Sequence, residues 1–236
     1  MKMPNQLLKR CMDIAVSALL LAATAPFLLS IVIAIRWSSN GPAIFRQKRV
    51  GRDGRIFTIL KFRTMVQNAP DLRNADNSTF NAEDDPRVTG IGKLLRKTSC
   101  DELPQLVNVL RGEMSLVGPR PELPEGSAGY STSQWARLKV RPGMTGLAAI
   151  QGRNDVPVVV RRDLDAQYAE TWTLWLDLKI IARTIPTVLQ KRGVNRKAHN
   201  DVSHLCKGGH DDQGKNRHVA AVRLIFAFDR PDLDQR

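Results

Sequence analysis

Residues 14–35 read Ile-Ala-Val-Ser-Ala-Leu-Leu-Leu-Ala-Ala-Thr-Ala-Pro-Phe-Leu-Leu-Ser-Ile-Val-Ile-Ala-Ile, 22 positions without a charge. As a straight helix they would extend about 33 Å, enough for the hydrocarbon core of a bilayer. The run is longer than the apolar part of a secretory signal. It ends in Ile35-Arg36-Trp37 rather than in a small-residue cleavage site. A membrane helix is therefore expected, and composition favours one that crosses. Two features count against crossing. Lys2, Lys9 and Arg10 precede the run and Arg36, Arg46, Lys48, Arg49, Arg52 and Arg55 come after it, so the positive-inside rule selects neither orientation. Pro26 also lies in mid-segment after Thr24, where a kink is natural and the threonine hydroxyl can take a freed carbonyl.

Outward from this segment, a chain of 236 residues has room for one compact domain with appendages. Its formal charge is +13, and positions 1–195 alone hold 28 basic against 17 acidic residues. The basicity belongs to the main body, which calls for an anionic partner: a phosphorylated substrate, lipid head groups or nucleic acid. Cys11, Cys100 and Cys206 are odd in number and lack disulfide-like spacing, as suits a reducing compartment. Without a neighbouring His, Cys100 reads as an inert small residue.

Ala43-Ile44-Phe45 and Ile56-Phe57-Thr58-Ile59-Leu60 are β-prone stretches separated by Gly51-Arg52-Asp53-Gly54, the pattern of a short hairpin. The second strand leads into Lys61-Phe62-Arg63-Thr64-Met65, whose two cations share one face if the segment is extended. Residues 66–86 read as a polar loop, and Thr89 to Arg111 as helix interrupted near Asp101. Gly118-Pro119-Arg120-Pro121 and Arg141-Pro142-Gly143-Met144-Thr145-Gly146 are stiff cationic turns suited to phosphate recognition. The set Trp172, Trp175, Leu176, Leu178, Ile180, Ile181 and Ile185 fits an interfacial helix or a core helix equally. His199, His204, Cys206 and His210 have loose metal-ligand spacing in a polar tail, a weak zinc signal. There is no internal repeat, P-loop or dinucleotide fingerprint.

The chemistry centres on Arg96-Lys-Thr-Ser-Cys-Asp-Glu-Leu-Pro-Gln105, which sets Asp101 beside Glu102. Ser99 and Glu102 have capping-box spacing before Leu103, Leu106, Val107 and Leu110. Pro104 argues against that box and places the helix start between 101 and 104. Adjacent carboxylates can equally hold a divalent metal or supply a nucleophile. Spacing alone leaves cap and catalytic dyad both open.

Taken in order, these motifs resemble the bacterial sugar transferases, the monotopic phosphoglycosyl transferases that load a phosphosugar onto a polyprenyl phosphate. The resemblance covers about positions 6–200. It rests on Lys9-Arg10-Cys11-Met12-Asp13, Lys61-Phe62-Arg63-Thr64-Met65, Asp101-Glu102-Leu103-Pro104-Gln105-Leu106, Gly118-Pro119-Arg120-Pro121, Arg141-Pro142-Gly143-Met144-Thr145-Gly146 and Gly152-Arg153-Asn154. It implies an α+β, mostly helical, monotopic membrane enzyme: a re-entrant helix over 1–36 broken at Pro26 with help from Thr24, a catalytic domain over 37–200 with interfacial amphipathic helices, and a divergent tail over 201–236. In the family a Ser commonly precedes the proline, where this chain has Ala25, and Leu147 stands where many relatives carry Trp.

The resemblance further implies that Asp101 is a nucleophile toward the β-phosphate of a UDP-sugar, releasing UMP, and that Glu102, with Asp101, holds Mg²⁺. Lys61, Arg63, Arg96, Arg120 and Arg141 become candidate phosphate contacts. The expected partners are the UDP-sugar, polyprenyl phosphate and membrane lipids at the cytoplasmic face of a bacterial inner membrane, without nucleic acid and with a homodimer admitted. The rival classes are a membrane-tethered basic binding protein, which would need no adjacent acids, and a non-catalytic scaffold, which would not need to keep either acid.

Overall fold

Apolar residues dominate the N-terminal segment, and the backbone answers with one helix, α1 (Met3–Ser38), long and apolar enough to cross a membrane. The structure, a computed structural model, describes residues 3–72, 80, 85–152 and 156–189. Pro26 lies inside α1, which runs as one helix on either side of it. Proline removes only the N–H that would reach the Ala22 carbonyl, and the rest of the helical ladder survives. Thr24 does not serve that carbonyl either: its hydroxyl donates to Leu20 O at 2.6 Å, the ordinary bond to the residue four back.

One stripe of α1 faces protein. Asp13 and Ser17 are buried near its start, Ile31 and Ile35 near its end. Leu19, Phe27 and Leu29 are at least half exposed. Covering such side chains with an apolar medium is worth about 1.5–3 kcal/mol each.

The basic hairpin forms as expected, with β1 (Ile44–Val50) antiparallel to β2 (Ile56–Phe62) around a tight turn at Arg52–Gly54. Phe62 joins Ile31, Ile35, Ala43 and Leu95 of helix α2 (Gly90–Thr98) in one core cluster. Phe57 and Ile59 enter a second cluster with Val109 of α3 (Gln105–Arg111) and Met114. The Asn108 side chain joins the two elements. Its Oδ1 accepts from Leu60 N at 3.0 Å and its Nδ2 donates to Thr58 O at 2.8 Å. The amide thereby replaces a neighbouring strand along the open edge of β2.

The remaining strands, β3 (Ser115–Val117) and β4 (Gly143–Thr145), pair in parallel and bring the two stiff cationic turns side by side. Glycine makes that approach feasible: a Cβ on Gly118 would lie 2.4 Å from Arg141 O, and one on Gly143 only 2.1 Å from Gly118 N. A short helix α4 (Leu147–Ile150) comes next, then α5 (Val158–Thr171) and α6 (Leu174–Leu189). Leu147 is buried.

Of the tryptophan set, Trp172 is not interfacial, since it is buried and its indole N–H donates to Asp177 Oδ2 at 3.0 Å. Trp175 is exposed, with Lys179 Nζ 5.5 Å from the ring centroid. The expected tail over 201–236, its histidines, and Arg153 and Asn154 lie outside the described residues.

Candidate active site

Helix α2 begins with Thr89 accepting from Gly92 N and ends where Ser99 turns left-handed at φ 58°. Ser99 is thus the C-cap of α2 rather than the start of a capping box, and it supplies no side-chain cap to the next turn. The chain then makes one 3₁₀ turn, Cys100–Glu102, before α3 starts after Pro104. Pro104 fits there because the first turn of a helix has no use for its missing donor. The two acids stand on the corner between α2 and α3 and are not the N-cap of either helix.

Cations from three elements converge on this corner. Lys61, at the end of β2, places Nζ 2.8 Å from Glu102 Oε1. Arg120, from the stiff turn after β3, brings Nη2 to 3.5 Å of the same oxygen. Arg96, one helical turn before the acids, is half-buried, donates through Nε to Thr64 Oγ1 at 3.0 Å, and attracts Asp101 electrostatically. The Asp101 carboxyl is pushed up to about 6, first by burial and then by the Glu102 charge; Lys61, Arg96 and Arg120 pull the other way. Arg120 is half exposed, whereas Lys61 and Glu102 are mostly covered. The Arg120 side is the open side of the corner.

Two other candidates go elsewhere. Arg63 is buried and donates to the carbonyl of Asn40, to Ser39 O at 2.8 Å and to Ser39 Oγ at 3.1 Å, closing the end of α1. A guanidinium surrounded by carbonyl groups at a helix end is a cap. Lys61 and Arg63 therefore do not act together, despite their spacing. Arg141 turns its Nε to Gly112 O at 2.9 Å, beside Arg10, which takes Val109 O and Leu110 O. Both arginines cap the C-terminal end of α3.

A polar network that the sequence did not disclose holds α1 to the same body. Lys9 Nζ contacts Asp177 Oδ2 at 2.5 Å and Val117 O at 3.1 Å, and Asp13 Oδ1 accepts from Ser115 Oγ and Leu116 N. Tyr168 OH donates to Asp177 Oδ1 at 2.7 Å. Lys9 and Asp13 belong to the N-terminal motif, and their spacing of four puts both on one face of the helix.

No group of three or more His, Cys, Asp or Glu side chains gathers among the described residues. Asp101 and Glu102 alone suit Mg²⁺, which takes one or two protein carboxylates and completes its shell with water and substrate phosphates. They would not suit zinc.

The sequence model of the family described as bacterial sugar transferase matches residues 4–191. The chain is 46% identical over 191 residues to the UDP-glucose:undecaprenyl-phosphate glucose-1-phosphate transferase of Caulobacter vibrioides, covering 77% of this chain and 69% of that protein. It is 40% identical to the exopolysaccharide production protein ExoY of Rhizobium meliloti, over 78% of this chain and 87% of ExoY. It is also 40% identical to the undecaprenyl-phosphate galactose phosphotransferase of Salmonella typhimurium, over 81% of this chain but 42% of that longer protein. The chain belongs to the bacterial sugar transferase family.

Proposed function

We propose that this protein transfers a sugar-1-phosphate from a UDP-sugar to polyprenyl phosphate at the cytoplasmic face of a bacterial inner membrane, as the first membrane step in making an exopolysaccharide or related glycan. The carrying observation is the corner at Asp101 and Glu102, two acids held within a ring of Lys61, Arg96 and Arg120. A binding protein for polyanions gains nothing from two half-buried acids set in its cationic surface. A phosphoryl-transfer enzyme needs them.

In the first displacement an Asp101 carboxylate oxygen attacks the β-phosphorus of the UDP-sugar. The bond to the bridging oxygen breaks, UMP leaves with its electron pair, and an aspartyl phosphosugar forms. In the second, an oxygen of polyprenyl phosphate attacks the same phosphorus and the Asp101 carboxylate departs. Two in-line steps replace one encounter between bulky anions. Arg120, half exposed and directed at the corner, meets the donor's phosphates; Lys61 holds Glu102 in place. Mg²⁺ held by Asp101 and Glu102 would supply charge neutralisation for the diphosphate.

The same reading includes a re-entrant α1. Near its start Lys9, Arg10 and Asp13 are bonded to α6, α3 and β3, and near its end Arg63 holds Ile35, Ser39 and Asn40. A helix that crossed the bilayer could not return both ends to one soluble body. The exposed apolar middle, with Trp37 and Trp175, would dip into the near leaflet.

Purified protein incubated with UDP-sugars, Mg²⁺ and undecaprenyl phosphate should release UMP and form a lipid-linked diphosphosugar. Absence of UMP across a UDP-sugar panel would reject the transferase reading.

A further inference from the structure

The turn that carries Arg120 is gripped at every carbonyl. Pro119 O accepts from Gly143 N at 2.8 Å, Arg120 O from Arg137 Nη2 at 2.7 Å, Pro121 O from Arg49 Nη1 at 3.2 Å, and Glu122 O from Val50 N at 2.9 Å. Pro119 has its own φ fixed, and Pro121 confines Arg120 to extended backbone. What remains adjustable is ψ of Pro119 and φ of Arg120, which tilt the Arg120 unit as a whole, and the Arg120 carbonyl is the one Arg137 holds.

Arg137 lies in the 3₁₀ segment Gln134–Lys139 and its side chain is only 2% exposed. Its Nη2 meets Asp165 Oδ2 of α5 at 2.6 Å, while Nη1 meets Glu122 Oε1 at 2.9 Å and Tyr130 OH at 2.5 Å. Arg162 closes the group from the far side through Glu122 Oε2 at 2.9 Å. Burying a guanidinium costs several kcal/mol, and an apolar side chain of similar volume would often fold as well. This one contacts the turn twice, at the Arg120 carbonyl and at the Glu122 carboxylate.

We propose that Arg137, backed by Asp165, is a positioning residue that sets the aim of Arg120 at the Glu102 corner. This rests on the reading of Arg120 as a contact for the donor's phosphates. Arg137 touches no reacting atom. It acts by denying the Pro-Arg-Pro turn the rocking motion that would carry the Arg120 guanidinium away from the 3.5 Å approach it makes to Glu102.

The test is a double-mutant cycle on UMP release by the full chain, with Arg137→Lys and Asp165→Asn each measured alone and combined with Arg120→Ala. Displacement of a positioned group by about 1 Å costs up to about a hundredfold, so each single variant should lose about 10–100-fold in kcat/KM. In the Arg120→Ala background the same substitutions should cost less than about twofold, because nothing remains to be aimed. The division of the loss between kcat and KM in Arg137→Lys should reproduce that in Arg120→Ala. If Arg137→Lys does not fold, Asp165→Asn carries the cycle alone. Equal losses in both backgrounds, or undiminished turnover in the folded single variants, would overturn the positioning role. Wild-type protein that releases no UMP would overturn the transferase reading itself.

Discussion

Asp101 and Glu102 differ by one position and have different surroundings. Glu102 is held by Lys61 and Arg120, whereas the Asp101 carboxyl is pushed from its ordinary 3.8 to about 6 by burial and by Glu102. Such a group keeps its proton in the folded state over a pH range where the unfolded chain has lost it. Its favourable contribution is full below the ordinary value of 3.8 and is lost progressively as pH rises from there through about 6. At pH 7.5 the ionised carboxylate therefore costs stability, and Asp101→Asn should raise the unfolding free energy by about 1–3 kcal/mol while abolishing turnover. Thermal melting of the two proteins across pH 5–8 checks this, and an Asn variant less stable than wild type at pH 7.5 would contradict it. UMP release should fall as pH drops through about 6, a titration that belongs to the acid pair as a whole.

The residue scale is also where sequence reading was least even. Asp101, Glu102, Lys61, Arg96 and Arg120 could be named from motifs, and the structure gathers them. Arg63 and Arg141 sit in equally convincing motifs but cap the ends of α1 and α3. A motif shows that an arginine belongs to the framework, not which carbonyls or anions its guanidinium meets. Arg137 and Asp165 carried no local signal, because Arg137 reaches the Arg120 carbonyl and Asp165 across 17 and 28 positions.

At the scale of elements, the hairpin and the interrupted helix were legible because alternation, turn residues and Pro104 act over a few positions. The parallel pairing of β3 with β4 was not, since each strand has three residues and their partnership depends on glycines 25 positions apart. The joint between β2 and α3 is the most exposed to test. Asn108 supplies the edge of β2 with one acceptor and one donor in a fully buried site. Asn108→Ala strands Leu60 N and Thr58 O, which should cost about 2–4 kcal/mol in denaturant unfolding. Lys61 comes directly after Leu60, so the surviving folded fraction should also lose turnover. A loss below about 0.5 kcal/mol would show that the edge needs no such partner.

For the whole molecule, the deciding relation is between α1 and the body. Composition alone marked 14–35 as a segment able to cross a bilayer, and it could not reveal that Lys9 and Asp13 at one end and Ile35 at the other are fixed to the same unit. If both ends stay in the cytoplasm, single cysteines introduced as Gln6→Cys and Ser38→Cys, with the native cysteines removed, should resist impermeant maleimides in intact spheroplasts and react after lysis. Labelling of either site before lysis would refute re-entrance.

If the cation-ringed corner works by forming a covalent phosphosugar on Asp101, a single-turnover experiment detects that ester directly. Protein, UDP-sugar and Mg²⁺ are mixed without any polyprenyl phosphate, and UMP and the mass of the peptide containing Asp101 are tracked together. The covalent mechanism gives a burst of UMP no larger than the enzyme concentration, and a phosphosugar-sized mass increase on that peptide which disappears when polyprenyl phosphate is added. UMP formation that strictly requires the lipid acceptor, with no adduct on Asp101, would contradict it.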